Sequence, residues 1–158
     1  MISRKGHIPR EQIKAVANVM IAAITPFCTK IEICGSYRRG KAICGDLDLL
    51  ASGHIKCIDA FCNVCDEILT CGNSKACGVK NEVQVELRLV KEECWGSALM
   101  HTTGPVELNI RQRGLAKRNG MMSNEYGLWK AGNRIASRTE EEIYQILGMK
   151  WLNPEERR

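Results

Sequence analysis

Apolar residues change their spacing several times along the chain, and each change predicts a different element. From Pro9 to Ile24 they fall at Ile13, Val16, Met20 and Ile24, one face of a helix, with Pro9 suited to a first turn where its missing N–H has no partner. Thr25-Pro26 ends that helix. Ile31 to Cys34 reads as a strand, and so does Asp46 to Ala51, where Asp46 and Asp48 alternate with Leu47 and Leu49 so that two carboxylates share one face. Ile58, Phe61, Cys62, Cys65, Ile68 and Leu69 recur at helical spacing and predict one amphipathic helix. From Val83 to Val90 the alternation is strict: Val83, Val85, Leu87 and Leu89 face one way, Gln84, Glu86 and Arg88 the other. Helices alternating with strands predict a helix-covered mixed sheet over residues 1–95.

The composition shifts near Cys94-Trp95-Gly96. Beyond it, Thr103-Gly104-Pro105 opens a helix in which Asn109, Arg113 and Lys117 recur every four residues, flanked by Arg111 and Arg118. That edge suits nucleic acid, and it equally suits a solvated basic face. Gly120 caps the helix, Asn124 to Trp129 with the Ala131-Gly132-Asn133 turn predicts a small hairpin, and Thr139-Glu140-Glu141-Glu142 opens a last helix through a capping box. The expected fold class is therefore α+β, a mixed-sheet lobe over residues 1–95 followed by a small α+β lobe over 96–158, with no internal repeat or long linker.

Bulk properties narrow this only a little. A chain of 158 residues can bury one core or two small ones. Its 23 Lys and Arg against 18 Asp and Glu give a formal charge of +5, which favours a polyanionic partner without identifying one. No apolar run reaches transmembrane length and Met1 to Arg10 lacks the apolar centre of a signal peptide, so a soluble intracellular protein with no membrane partner is expected. Nine cysteines cannot all pair within one chain. Cys62 and Cys65, with Cys57, Cys71 and Cys77 nearby, have a spacing that zinc sites use, but the helical pattern makes Cys62 and Cys65 small core residues. Cys71 and Cys77 flank a Gly-Asn-Ser-Lys-Ala turn whose length permits a loop disulfide.

The candidate chemistry lies in Cys34-Gly35-Ser36-Tyr37-Arg38-Arg39-Gly40, followed by Gly45-Asp46-Leu47-Asp48. Gly35 permits close backbone approach, Ser36 adds a hydroxyl and an N–H, and Arg38, Arg39 and Lys41 supply charge in forms that suit phosphate. Two carboxylates on one face repel each other unless a cation lies between them, and hard oxygen donors beside a triphosphate cradle imply Mg²⁺ or Mn²⁺. Asp-x-Asp alone would read as two solvated aspartates; the flanking loop turns it toward nucleotidyl transfer. Glu86 offers a third carboxylate if its strand neighbours that of Asp48, and otherwise reads as a surface partner of Arg88.

Taken together, these motifs resemble the family X DNA polymerases, the group typified by DNA polymerase beta, and are similar to its very small viral members. The resemblance runs from His7-Ile8-Pro9-Arg10-Glu11 to Pro154-Glu155-Glu156-Arg157, and its narrowest parts are Thr103-Gly104-Pro105 and Asn124-Glu125-Tyr126. It implies a palm followed by a C-terminal nucleotide-binding lobe, with two Mg²⁺ ions, possible use of Mn²⁺, dNTP and a primer-template or gapped DNA as partners, and a monomer working in a cell or virion. Asp46 and Asp48 match the aspartates that bind both metals, and Glu86 stands at the third catalytic and metal-binding position. Gly35, Ser36, Arg39 and Gly45 match residues around the triphosphate. His101, Thr102, Thr103, Gly104 and Asn109 fall at nucleotide-binding positions; Arg113 falls on the template side, with Lys117 and Arg118 beside it as DNA-binding candidates. Arg88, Glu125 and Tyr126 match a polar group linked to closure before chemistry.

Three departures accompany the resemblance. Glu86 stands where the family has Asp, one methylene longer. His101-Thr102 replaces an aromatic pair linked to sugar selection, so weaker discrimination against ribonucleotides is expected. The sequence begins where the family's catalytic core begins, without the helix-hairpin-helix segments and lyase lysine of larger members, so weak, salt-dependent DNA binding, distributive synthesis and no lyase activity are expected. The expected function is template-directed DNA synthesis, with short-gap repair as its use; the rivals are a template-independent nucleotidyltransferase and a catalytically silent DNA-binding module.

Overall fold

Residues 6–158 are described by a computed structural model, in which the chain divides between Val90 and Lys91 into two compact units. The first opens with the two-residue strand β1 (Ile8–Pro9), the helix α1 (Arg10–Ile24) and the strand β2 (Cys28–Ile33). A single helical turn, α2 (Gly35–Arg38), leads through β3 (Ile43–Cys44) to β4 (Leu47–Gly53). After them come α3 (Lys56–Val64), β5 (Glu67–Cys71), β6 (Lys75–Lys80) and β7 (Val83–Val90). The main sheet has the order β2-β4-β7-β6-β5, with β4 and β7 parallel at its centre and every other pair antiparallel.

Hydrophobic burial decides which face of this sheet is covered. Leu47, Leu49 and Ala51 of β4, Val83, Val85 and Leu87 of β7 and Ala76 of β6 pack with Ile13, Val16, Ala17, Met20 and Ile24 of α1 and with Cys57, Ile58 and Phe61 of α3. Because side chains alternate across a strand, Asp48 and Glu86 are left on the opposite face. The mixed sheet and the apolar stripe of α1 agree with the sequence pattern.

Local details differ where long-range contacts prevail. Pro9 does not enter the helix; it pairs with Ile43 in the β1–β3 ladder and precedes α1 in an extended conformation. The helix expected to reach Leu69 stops at Val64, where Cys65 turns extended and the Asp66 carboxylate accepts hydrogen bonds from the Asn81 backbone N–H (2.7 Å) and Lys80 Nζ (2.9 Å). Ile68 and Leu69 therefore lie in β5 and pair with β6, a ladder that outweighs their helical spacing. All nine cysteines are free. Cys71 stands opposite Ala76 and shares its helix-covered side, whereas Cys77 is opposite Glu86 on the other face, so the loop disulfide that their spacing permits cannot form without reversing a strand.

In the second unit, α4 (Trp95–Thr103) and α5 (Val106–Arg118) precede a three-stranded antiparallel sheet of β8 (Met121–Asn124), β9 (Gly127–Lys130) and β10 (Asn133–Ala136), and α6 (Glu140–Ile146) follows. The expected hairpin thus gains a third strand. Helix α4 escapes the periodicity because Gly96, Ser97, Ala98, Leu99, Met100 and Thr103 are all buried, leaving little polar contrast around it. A Cβ on Gly96 would stand 2.3 Å from the Thr139 backbone, so α4 and the start of α6 need glycine to approach this closely. The capping box is present: Thr139 Oγ1 accepts from the Glu142 N–H, and Glu142 accepts from the Thr139 N–H. No helix among the described residues is long and apolar enough to cross a membrane.

One charged residue anchors this unit from within. Arg157 is 0% exposed, pairs with Glu140 (4% exposed) at 2.6 Å, donates from Nε to the Leu152 carbonyl at 3.1 Å, and lies over the rings of Trp151 and Tyr144. Glu140→Ala leaves that cation buried without its counter-ion and is expected to cost about 3–5 kcal/mol. Urea unfolding checks it, and the double substitution Glu140→Leu with Arg157→Met should recover most of the loss.

Candidate active site

Strand register brings the main carboxylates together. In the parallel β4–β7 pair Asp48 lies opposite Glu86, flanked by the Leu47–Val85 and Leu49–Leu87 pairs whose side chains enter the core. Both acids are half-buried on the face opposite α1 and α3. Asp46 lies just before β4, which begins at Leu47, so the expected strand is shorter at this end and Asp46 occupies the bend leading into it. Cys77, opposite Glu86 across β6–β7, registers the local field: its thiol is pushed above the ordinary range, by burial first, then by the charge of Glu86, and further by Asp46 and Asp48.

A cation on the protein already answers part of that charge. Lys75 Nζ lies 3.2 Å from Glu86 Oε1, with both side chains partly exposed. Sequence pattern did not find Lys75, because only the β6–β7 register reveals that it stands diagonally beside Glu86.

The Gly-Ser loop is bonded to the same strand. The Cys34 N–H donates to the Asp48 carbonyl at 2.8 Å, and the chain then turns through α2 with Gly35 at φ +57°. A Cβ on Gly35 would lie 2.0 Å from Asp48 Oδ2, so backbone and carboxylate are in direct contact and any larger residue would have to displace the carboxylate. Ser36 and Arg39 are half-buried beside it, and Gly45 immediately precedes Asp46. Arg10 holds the loop from behind: its Nη1 donates to the Tyr37 carbonyl at 2.5 Å and its guanidinium stacks 3.7 Å from the Tyr37 ring centre. This support, too, was invisible in the sequence, since twenty-seven residues separate the pair.

The second unit carries the remaining candidates. His101 and Thr102 are half-buried near the end of α4, followed by the buried Thr103 and Gly104. Asn109 Nδ2 donates to the His101 carbonyl at 2.8 Å, joining α5 to α4. At 8% exposed it belongs to the buried side of α5 with Leu108, Gln112 and Ala116, so the expected edge of Asn109, Arg113 and Lys117 is solvated only at the two cations. Arg118 is exposed as well. A small recess of about 10 Å³ is lined by Met100, His101, Asn109, Gln112, Arg113, Ser123 and Asn124, and Gln112 Nε2 is buried with no hydrogen-bond partner. Glu125 and Tyr126 form the β8–β9 turn, stabilised by Asn124 Oδ1 accepting from the Tyr126, Gly127 and Trp129 Nε1 N–H groups. Arg88, grouped with them by resemblance, lies in the first unit, two residues beyond Glu86 on β7.

The donor set fits a hard divalent cation. Asp48 and Glu86 offer oxygens from paired strand positions, Asp46 follows within the same field, and the competing neighbour is a lysine that can withdraw into solvent. Among the described residues no three His, Cys, Asp or Glu side chains are gathered closely enough to hold a metal ion, so the structure pairs Asp48 with Glu86 but does not assemble the full triad with Asp46.

Comparison with known proteins agrees with this layout. Residues 7–93 match the DNA polymerase beta palm and residues 98–158 the DNA polymerase beta thumb. The chain is 27% identical over 194 aligned positions to DNA polymerase lambda of Arabidopsis thaliana, covering 97% of this chain and 37% of that protein. It is 30% identical to the DNA polymerase/3'-5' exonuclease PolX of Bacillus subtilis, over 80% of this chain and 24% of that one. It thus spans roughly a quarter to a third of these larger relatives. It is also 30% identical to the Repair DNA polymerase X of African swine fever virus, over 78% of each chain. Both lobes match in order along nearly the whole sequence, and the small viral protein matches over most of its own length: the chain belongs to the family X DNA polymerases.

Proposed function

We propose that the chain is a template-directed DNA polymerase that adds a deoxynucleoside monophosphate to a primer 3′-hydroxyl and fills short gaps during DNA repair. The observation that carries this reading is Asp48 in register with Glu86 and in contact with Gly35, in a chain of this family. Its partners are a dNTP and a gapped primer-template, with two Mg²⁺ ions, or Mn²⁺ in their place, held by Asp46 and Asp48 together and by Glu86 on the primer side. Bound there, the ions supply charge neutralisation at the transferred phosphoryl group and a lowered pKa for the attacking hydroxyl.

The chain's own groups account for the rest. Ser36 and Arg39 hold the triphosphate against the loop, and the contact between Gly35 and Asp48 sets the distance from that loop to the carboxylates. Glu86 orients the primer hydroxyl and receives help in carrying its charge from Lys75 between turnovers. Asn109, fixed to the His101 carbonyl, presents its remaining polar edge to the incoming nucleotide, while Arg113, Lys117 and Arg118 meet phosphates of the DNA. Arg88, Glu125 and Tyr126 take part in a change of conformation that precedes chemistry.

Extension of a one-nucleotide-gapped primer-template with each dNTP separately tests the proposal. Only the template-matched dNTP should be added efficiently, and Asp48→Ala should lower the rate by about 10³-fold or more. Equal extension of a single-stranded primer would instead mark template-independent transfer, and DNA binding with no extension in either metal would mark a silent module.

Glu86→Gln keeps the side chain's size but removes the charge, and near-abolition of extension is expected; unchanged activity would remove Glu86 from the mechanism. Gly35→Ala must move the Asp48 carboxylate aside, so a loss of about 10²-fold in kcat is expected, greater than any effect on KM. With His101-Thr102 at the sugar-selecting positions, matched rNTP and dNTP should be used at rates closer than in relatives with an aromatic pair. A strong deoxy preference under identical conditions would defeat that assignment.

A further inference from the structure

Five cysteines, Cys57, Cys62, Cys65, Cys71 and Cys77, lie in or beside α3, β5 and β6, away from the carboxylate chemistry except for Cys77. The Sγ atoms of Cys62 and Cys71 are 3.0 Å apart, about 1 Å more than a disulfide bond. We propose that Cys62 and Cys71 are an oxidisable dithiol that closes to an intrachain disulfide under peroxide, tying strand β5 to helix α3.

Placement makes this pair specific. Cys62 is in the last turn of α3, and Cys71 ends β5, the strand at the margin of the sheet. Cys71 is exposed and reaches peroxide directly, while Cys62 is half-buried behind it. Cys65 is occupied elsewhere, against Gly78, where a Cβ would come within 2.8 Å of its sulfur. Cys77 is on the opposite face of the sheet. No group of three or more possible metal ligands assembles among the described residues, so a dithiol fits this corner and a zinc site does not.

The chemistry balances with peroxide as the two-electron oxidant. The Cys71 thiolate attacks one peroxide oxygen, breaking the O–O bond to give a sulfenic acid and hydroxide, which the proton first lost from Cys71 converts to water. The Cys62 sulfur then attacks the Cys71 sulfur and the S–O bond breaks; the Cys62 proton leaves with the departing hydroxide as a second water. Two thiols and one peroxide become one disulfide and two waters. Burial, together with the hydrogen bond to Cys71, pushes the Cys62 thiol up to about 12, so the exposed Cys71 meets peroxide first and closure should quicken as pH rises.

The test uses the full chain, reduced, then exposed to a small excess of hydrogen peroxide and trapped with an alkylating reagent. Trypsin leaves Cys57, Cys62, Cys65 and Cys71 in one peptide, so cleavage after Glu67 is needed to separate the partners before non-reducing mass analysis. The expected result is a Cys62–Cys71 cross-link within one chain and a rise of several degrees in Tm that a reducing agent reverses. Cys62→Ser and Cys71→Ser should each abolish both signals while Cys65→Ser and Cys77→Ser retain them, and all four reduced variants should keep their fold by circular dichroism. A cross-link mapped to another pair, disulfide-linked dimers only, both thiols still alkylated after oxidation, or stoichiometric zinc that protects them would overturn the proposal.

Discussion

The parallel pairing of β4 with β7 is the constraint on which the site depends. A single register decides two things at once, because Leu47, Leu49, Val85 and Leu87 enter the core on one side only if Asp48 and Glu86 emerge together on the other. A slip of one residue would bury both acids and expose the leucines. Core packing under α1 and α3 therefore fixes the separation of the two carboxylates far more firmly than any contact between them.

That arrangement works against itself electrostatically, which is informative. Two carboxylates directly opposite each other on neighbouring strands are mutually unfavourable. Lys75, partly exposed, offsets a small part of this. Hydrophobic burial on the far side of the sheet, from Phe61, Ile13, Met20 and their neighbours, sustains the remaining penalty. A face held in such a state has a standing preference for cations, and the Gly35 loop adds a place for phosphate beside it.

How far the sequence revealed this depended on the range of the interaction involved. The β7 alternation from Val83 to Val90 and the Thr139 capping box are local patterns, and both appear where the pattern puts them. Ile68 and Leu69 have helical spacing too, yet β-pairing with β6 and the Asp66 anchor claim them. Helix α4 was hidden by its extensive burial, and nothing near Arg157 in the sequence announces Glu140 as its buried counter-ion. Arg10 beneath Tyr37 and Lys75 beside Glu86 likewise belong to pairings that no window of the chain contains.

Glu86 gives the clearest link between these levels. Its backbone position is set by the core, through the valine and leucine on either side of it, and cannot shift to compensate for a longer side chain. The extra methylene must therefore be absorbed by rotamer choice, and Lys75, 3.2 Å away, favours those rotamers that point toward β6. A carboxylate restrained on one side by the register and on the other by a mobile ammonium can swing without disturbing the sheet. This makes a glutamate physically compatible with a position where the family resemblance calls for the shorter acid, provided that whatever it binds competes successfully with Lys75.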